Sequence, residues 1–188
     1  MSPPIIGSEN GEKDAVLEAS RLMLAAARTA PKTAGVDDIL TLIVYGKEKD
    51  VIADKMEEIA FERKIEGFKR DAKNVRDSHA VVLIAVRGDR SIGLNCGSCG
   101  YEGCQEFDKA DKKLGKDFVG PTCIFKAIDL GISLGSAAKT ASILNIDNRV
   151  MYRVGTAASK LKLLPQATII IGIPVSTRGK SIYFDRSK

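Results

Sequence analysis

Residues 79–86 read HAVVLIAV, an unbroken apolar run, rich in β-branched side chains, between a lone histidine and Arg87. A run of that length and composition is a buried strand rather than a helix. It gives the chain a centre, and the flanking segments can be sorted around it. Upstream, ILTLIVYG (39–46) is a second β-branched run that stops at Gly46, and DVIADKMEEIAFERKI (50–65) returns to helical periodicity. A shorter charged helix is expected around Phe68, Ala72 and Val75. Earlier still, DAVLEASRLMLAAARTA (14–30) repeats Val16, Ala19, Met23, Ala26, Ala27 and Ala30 at helical spacing and ends at Pro31.

Downstream, IFKAIDLGISLGSAAKTASILN (124–145) is long enough for a buried helix. Gly131, Gly135, Ala138 and Ser142 line one face of it with small residues, which can pack on the sheet or on a second subunit. RVMYRVGTAASKLKLL (149–164) is a further helix, and ATIIIGIPV (167–175) a last central strand. In the polar tail only Ile182, Tyr183 and Phe184 are apolar, and they are expected to dock on the body. With 188 residues, no internal repeat and no Pro/Ser-rich linker, the expected fold is one α+β domain over residues 1–188. Its centre is a mostly antiparallel sheet with packed helices.

Between the central strand and the long helix lies CGSCGYEGC (96–104), with Cys123 the only other cysteine. Residues 93–123 are read as an embedded cysteine-rich segment, with a polar helix from Cys104 to Leu114. No basic stretch followed by an apolar one opens the chain, and no apolar run is long enough to span a bilayer, so a cytoplasmic location is expected, without membrane contact. Thiols there stay reduced, and a close set of them binds metal or does redox chemistry. Isolated cysteines are often just small buried hydrophobes, but three in a glycine-punctuated loop have almost no apolar company.

The spacing Cys96-x2-Cys99-x4-Cys104-x18-Cys123 places three ligands on one loop and the fourth apart from it. That distribution suits a four-iron four-sulfur core. Structural zinc is usually gripped by two paired knuckles. Four thiolates around such a core leave a net negative charge, which amide dipoles and a helix N-terminus following Cys123 can offset. Zinc is the alternative metal, and with it a zinc-stabilised binding module, with nucleic acid as one partner class.

CGSCGYEGCQEF resembles the cluster motif of the large corrinoid-protein subunit of acetyl-CoA synthase complexes, through Cys96, Cys99, Gly100, Cys104, Phe107 and Cys123. Pro121 precedes the last cysteine, where that motif has a proline after it. Over most of its length the chain is similar to a family of uncharacterised prokaryotic proteins described as containing a ferredoxin domain, through AARTAPKTAG, CGSCGYEGC, GPTC, DLGISLGSA, DNRVMYRVG, GIP and YFDR. The flanks also resemble nitroreductases: LAAARTAPKTAG matches a helix-ending motif and DLGISLGSAAKTASILNI the central dimer helix of that family. That resemblance implies a nitroreductase-like scaffold, a homodimer and FMN at the subunit interface. Yet the family's Arg-x-Ser-x-Arg phosphate grip has no match before Asp14, and its N-x-Q-P-W stretch is replaced by GVDDI. Arg178 and Lys180 are the candidate phosphate donors.

The net charge of +5 suits nucleic acid or an acidic redox partner protein, but lysines and arginines are interspersed with acids, which argues against nucleic acid. One histidine and no G-x-S-x-G exclude most hydrolytic designs, and neither a P-loop nor a G-x-G-x-x-G occurs. His79, Asp37, Asp38 and Asp71 are read as structural. The functional expectation is an iron–sulfur protein that moves electrons, as a carrier or as the electron-entry module of a reductase. Its cluster ligands are Cys96, Cys99, Cys104 and Cys123.

Overall fold

A computed structural model describes residues 5–184. The central strand is β2 (Ala80–Val86), and each of its seven residues is fully buried. β1 (Ile39–Tyr45) and β6 (Ile169–Ser176) pair with it on either side, and β5 (Asp147–Asn148) pairs with β6. The order is β1-β2-β6-β5 and every pairing is antiparallel.

Successive side chains of a strand point to opposite faces. Val81, Leu83 and Ala85 therefore enter one core, while Ala80, Val82, Ile84 and Val86 enter the other. The first core is covered by α2 (Lys47–Arg63), α3 (Glu66–Asp77) and α6 (Tyr152–Lys160). The second is covered by α1 (Ser8–Thr29) and α5 (Ile124–Ile143). An unbroken apolar strand is what a sheet sandwiched between two helical layers requires.

α6 lies unusually close to β6, because two glycines remove the side chains between them. A Cβ on Gly155 would stand 1.6 Å from the Ile170 carbonyl oxygen, and one on Gly172 would stand 2.2 Å from Val154 Cγ1. On α5 the buried residues are Lys126, Asp129, Leu130, Ser133, Ala137 and Ala141. Gly131, Gly135 and Ser142 point outward, so the small-residue face does not pack on the sheet. Beside it Ile124, Ile128 and Ile132 form a partly exposed apolar stripe at i, i+4, i+8 spacing.

The polar helix expected over 104–114 is shorter. α4 covers Cys104–Lys109, and the chain then forms a small hairpin from β3 (Lys113–Leu114) and β4 (Val119–Gly120). The helix stops because Lys112 folds back, its ammonium donating to the Phe107 carbonyl and sitting 3.8 Å above the Phe107 ring. In the tail Tyr183 is buried and Ile182 packs on the core, as expected. Phe184 stays exposed, with the Arg149 guanidinium 5.1 Å from its ring centroid. Asp185 and Arg186 of YFDR lie outside the described residues.

Candidate metal centre

The chain leaves β2 at Arg87 and returns to the same place at Cys123. Arg87 N–H donates to the Asp38 carbonyl (3.1 Å), Gly88 N–H to Thr168 Oγ1 (2.8 Å), and Cys123 N–H to the Gly88 carbonyl (2.9 Å). A Cβ at Gly88 would meet Thr122 Cγ2 at 2.4 Å and Thr168 Oγ1 at 2.8 Å, so only glycine fits at this closure. The cysteine-rich segment is thus an excursion pinned at its base. Cys123, buried, sits there as the residue preceding α5, its carbonyl accepting from Ala127 N–H.

Above that base the loop carrying Cys96, Cys99 and Cys104 is built on left-handed backbone. Gly93, Gly97 and Gly100 have φ of 82°, 71° and 87°, and Asn95 has φ of 47°. α4 then anchors the loop through Phe107, fully buried and packed edge-on against Tyr101 at 5.9 Å between ring centroids. Asp108 ties the outgoing strand of the loop by accepting from Ser91 N–H (2.7 Å) and Ser91 Oγ–H (2.8 Å).

All four cysteines are free thiols. Cys104 Sγ accepts the Asn95 backbone N–H at 3.2 Å, and this bond, with support from Ser91 and Gly93, holds the thiol pKa below its ordinary value. Cys96 follows Asn95 directly and is exposed, and Cys99 is half-buried. Cys104 is thus tied to the residue before Cys96, while Cys123 stands at the base of the loop. Among the described residues, no three Cys, His, Asp or Glu side chains lie close enough together to share a metal ion.

Beneath Cys123 the buried face of α5 is polar. Lys126 is 1% exposed, with Nζ 2.6 Å from Asp38 Oδ2, a contact that is ionic without hydrogen-bonding geometry. Arg87 Nη2 approaches Asp38 Oδ1 at 3.1 Å. One turn on, Asp129 Oδ1 accepts both the N–H and the hydroxyl of Thr33 at 2.9 Å, and its Oδ2 and Ser133 Oγ are buried without a protein partner. Lys126, Asp129 and Ser133 do not stand out in the sequence, whereas Asp38 does. A lysine and an aspartate three apart, one turn after a cysteine, were the available signal.

The remaining titratable candidates are tied into structure. Asp37 pairs with Arg28, Asp38 with Lys126 and Arg87, and Asp71 with Arg70 and Arg153. His79 Nδ1 faces Thr177 N–H at 3.3 Å, and partial burial, then Arg178 and Lys13, push its pKa down. His79 and Arg178 line a cavity of about 550 Å³ with Lys13, Lys49, Arg76 and Tyr45, at the end of β2 opposite to Cys123. Arg178 donates through Nε and Nη2 to the Asp77 carbonyl.

An uncharacterised protein of Archaeoglobus fulgidus is 49% identical to this chain over 183 residues, 97% of this chain and 98% of its own. The two proteins belong to one family. A family model described as an uncharacterised protein containing a ferredoxin domain matches residues 119–186, a stretch that includes Cys123 and leaves out the first three cysteines.

Among solved structures, an oxidoreductase containing FMN superimposes with a TM-score of 0.56 at 16% identity, over 87% of this chain and 67% of that one. A nitroreductase family protein from Clostridium novyi gives 0.55 at 10%, over 88% and 77%. A provisionally named nitroreductase from Desulfovibrio desulfuricans, in complex with FMN, gives 0.55 at 13%, over 91% and 79%. The fold is nitroreductase-like, with the cysteine-rich excursion carried between β2 and α5. No helix among the described residues is long and apolar enough to cross a membrane.

The Lys126–Asp38 contact yields a stability test. Asp38→Asn leaves a buried ammonium without its carboxylate, and the folded state is expected to lose about 3 kcal/mol in urea unfolding. A loss within experimental error would mean that Arg87 and Lys126 relax into solvent.

Proposed function

We propose that this protein is an iron–sulfur protein of electron transfer, holding a four-iron four-sulfur cluster on Cys96, Cys99, Cys104 and Cys123. The observation that carries the reading is the pinned excursion, which puts three cysteines on one left-handed loop and a fourth at the base of the same loop. The family's description as containing a ferredoxin domain supports it.

The donor types suit the group, and binding it would draw the four thiols together, since no three of them lie close enough to share a metal ion among the described residues. Four free thiols supply the ligands, Asn95 N–H already faces a sulfur, and the Lys126 ammonium lies one helical turn beyond Cys123. When bound, the cluster supplies one-electron chemistry at a potential set by charge, hydrogen bonds to sulfur and exposure. The chain's own part is to gather the thiolates, neutralise their charge and leave one side open, since Cys96 is exposed. An exposed ligand edge suits exchange with a redox partner protein, whether the chain is a free carrier or the entry module of a reductase.

The test is anaerobic purification with metal analysis. About four irons and four sulfides per chain are expected, with brown colour that bleaches on reduction. Cys104→Ser and Cys123→Ser should each lower the iron content. Stoichiometric zinc without iron, after attempted reconstitution, would replace this reading with a zinc-stabilised module.

A flavin is the second reading, favoured by the basic cavity at Arg178 and by the likeness in fold to oxidoreductases that contain FMN. Arg178 and His79 fit a phosphate, and Lys180 follows on the same exposed turn. FMN should then bind with micromolar affinity, and Arg178→Ala should weaken it about tenfold by removing a charge-assisted contact. Protein that releases no flavin on denaturation, after incubation with FMN, would leave the fold likeness without the cofactor.

We further propose a homodimer through the outward face of α5, where Ile124, Ile128 and Ile132 flank Gly131 and Gly135, around which a Cβ would meet nothing within 4 Å. Light scattering should report twice the chain mass, and Ile128→Asp should return the monomer by burying a charge in the interface. A monomeric parent at micromolar concentration would remove the dimer.

A further inference from the structure

Four backbone positions of the cysteine loop have positive φ, and three of them are glycine. The fourth is Asn95, and the exception has a physical reason. Asparagine tolerates the left-handed region better than other residues with a Cβ, but glycine tolerates it best. An amide is therefore kept at 95 for what its side chain does.

Asn95 makes a reciprocal pair of hydrogen bonds with Cys104, nine residues on. Its backbone N–H donates to Cys104 Sγ at 3.2 Å, and its Oδ1 accepts the Cys104 backbone N–H at 2.9 Å. Cys104 is the first residue of α4, whose N–H has no partner within the helix, and the preceding residue, Gly103, has no side chain to cap it. Asn95 caps it from outside. Gly103 is also what admits the amide, since a Cβ there would stand 3.3 Å from Asn95 Oδ1.

The structure assigns Asn95 as the positioning residue of Cys104: one side chain sets the direction of the Cys104 backbone while the same residue's N–H holds the sulfur. The assignment deepens the iron–sulfur reading and rests on it only for its second half, since the clasp itself is a property of the chain. With the clasp closed, the Cys104 sulfur is held against the backbone of the residue that precedes Cys96. With it open, Cys104 keeps its place in α4 but its sulfur loses the tie to the Asn95–Cys96 turn. Toward a cluster, the N–H donor on sulfur stabilises the more negative, reduced state, so the clasp also raises the potential.

Three full-length variants separate these roles. Asn95→Gly keeps the left-handed backbone and the N–H but deletes Oδ1. Asn95→Asp keeps backbone and acceptor, and Asn95→Ala loses the acceptor and strains φ. Amide exchange of Cys104, followed by NMR on metal-free chain, should quicken about fivefold in Asn95→Gly and stay near the parent in Asn95→Asp. In anaerobic, cluster-loaded protein, Asn95→Gly should lose iron and sulfide several-fold faster in air. Because Asn95→Gly keeps that N–H but no longer fixes Cys104 against it, the hydrogen bond to sulfur weakens and the midpoint potential should move to a more negative value, with recovery of retention in Asn95→Asp. Unchanged Cys104 exchange in Asn95→Gly would overturn the clasp whatever metal the protein holds. Faster exchange with unchanged cluster retention and potential would overturn the positioning role. Absence of iron in every variant and in the parent would count against the iron–sulfur reading and leave the exchange result to judge the clasp alone.

Discussion

The hydrogen bond from Cys123 N–H to the Gly88 carbonyl is the constraint on which the rest of the site depends. It joins the two ends of a segment of more than thirty residues at the exit of the one strand whose seven residues are all fully buried. Closing so long a loop without an anchor carries an entropic penalty that grows only slowly with length, so what matters is how firmly the ends are held. They are held by close packing. Gly88 has no room for a side chain between Thr122 and Thr168, and Thr168 in turn bonds to Val86, Gly88 and Val119. The excursion can thus be cysteine-rich, glycine-rich and nearly without apolar core of its own, since β2 and its two helical layers supply the rigidity beneath it.

Where the sequence spoke through periodicity, the structure agrees with it. AVVLIAV is β2, ILTLIVY is β1, and Val16, Ala19, Met23 and Ala27 are on the buried face of α1, because each pattern records which side chains face an apolar core. Short polar elements were not legible. β5 and the β3–β4 hairpin have two residues per strand, too few for any period to show. The end of α4 was misread because it is set by Lys112 bending back over Phe107, a contact of one side chain rather than a pattern. Of the site, residue types and spacing were legible in the four cysteines, and the left-handed turns in the glycines between them. Asn95 was not, since its role depends on a contact nine residues away. Nor was the polar underside of α5, because Lys126 and Asp129 look like ordinary surface charges until the helix face is known.

That underside bears on electrostatics. A lysine 1% exposed is costly unless paired, and Lys126 is paired with a carboxylate shared by Arg87. Lys126 and Arg87 against Asp38 leave one positive charge in excess at that contact, directly below the N-terminus of a twenty-residue helix whose dipole has the same sign. The same charges hold the GVDDI stretch, whose first three residues stay exposed, in place: Asp37 and Asp38 are both committed to ion pairs with Arg28, Lys126 and Arg87.

The sheet also sets how far apart two candidate chemistries stand. The basic cavity opens beside His79 and the cysteine-rich excursion begins after Val86, so the full length of β2, about 23 Å, lies between them. The strand that spans the gap is Ala-Val-Val-Leu-Ile-Ala-Val, itself without sulfur or aromatic ring, while the cores on its two faces include Met23, Met56, Met151, Phe68 and Tyr183. A group anchored by its phosphate at Arg178 is thus separated by the length of the strand from a centre at Cys123 in the same chain. Two redox groups placed so would communicate only if the second extended back over a helical layer, or if a second copy of the chain brought its own cavity toward the loop. Because α5 both begins at Cys123 and carries the outward isoleucine stripe, a partner seated on that stripe is placed next to the cysteine end of the sheet and away from the cavity of the chain it covers.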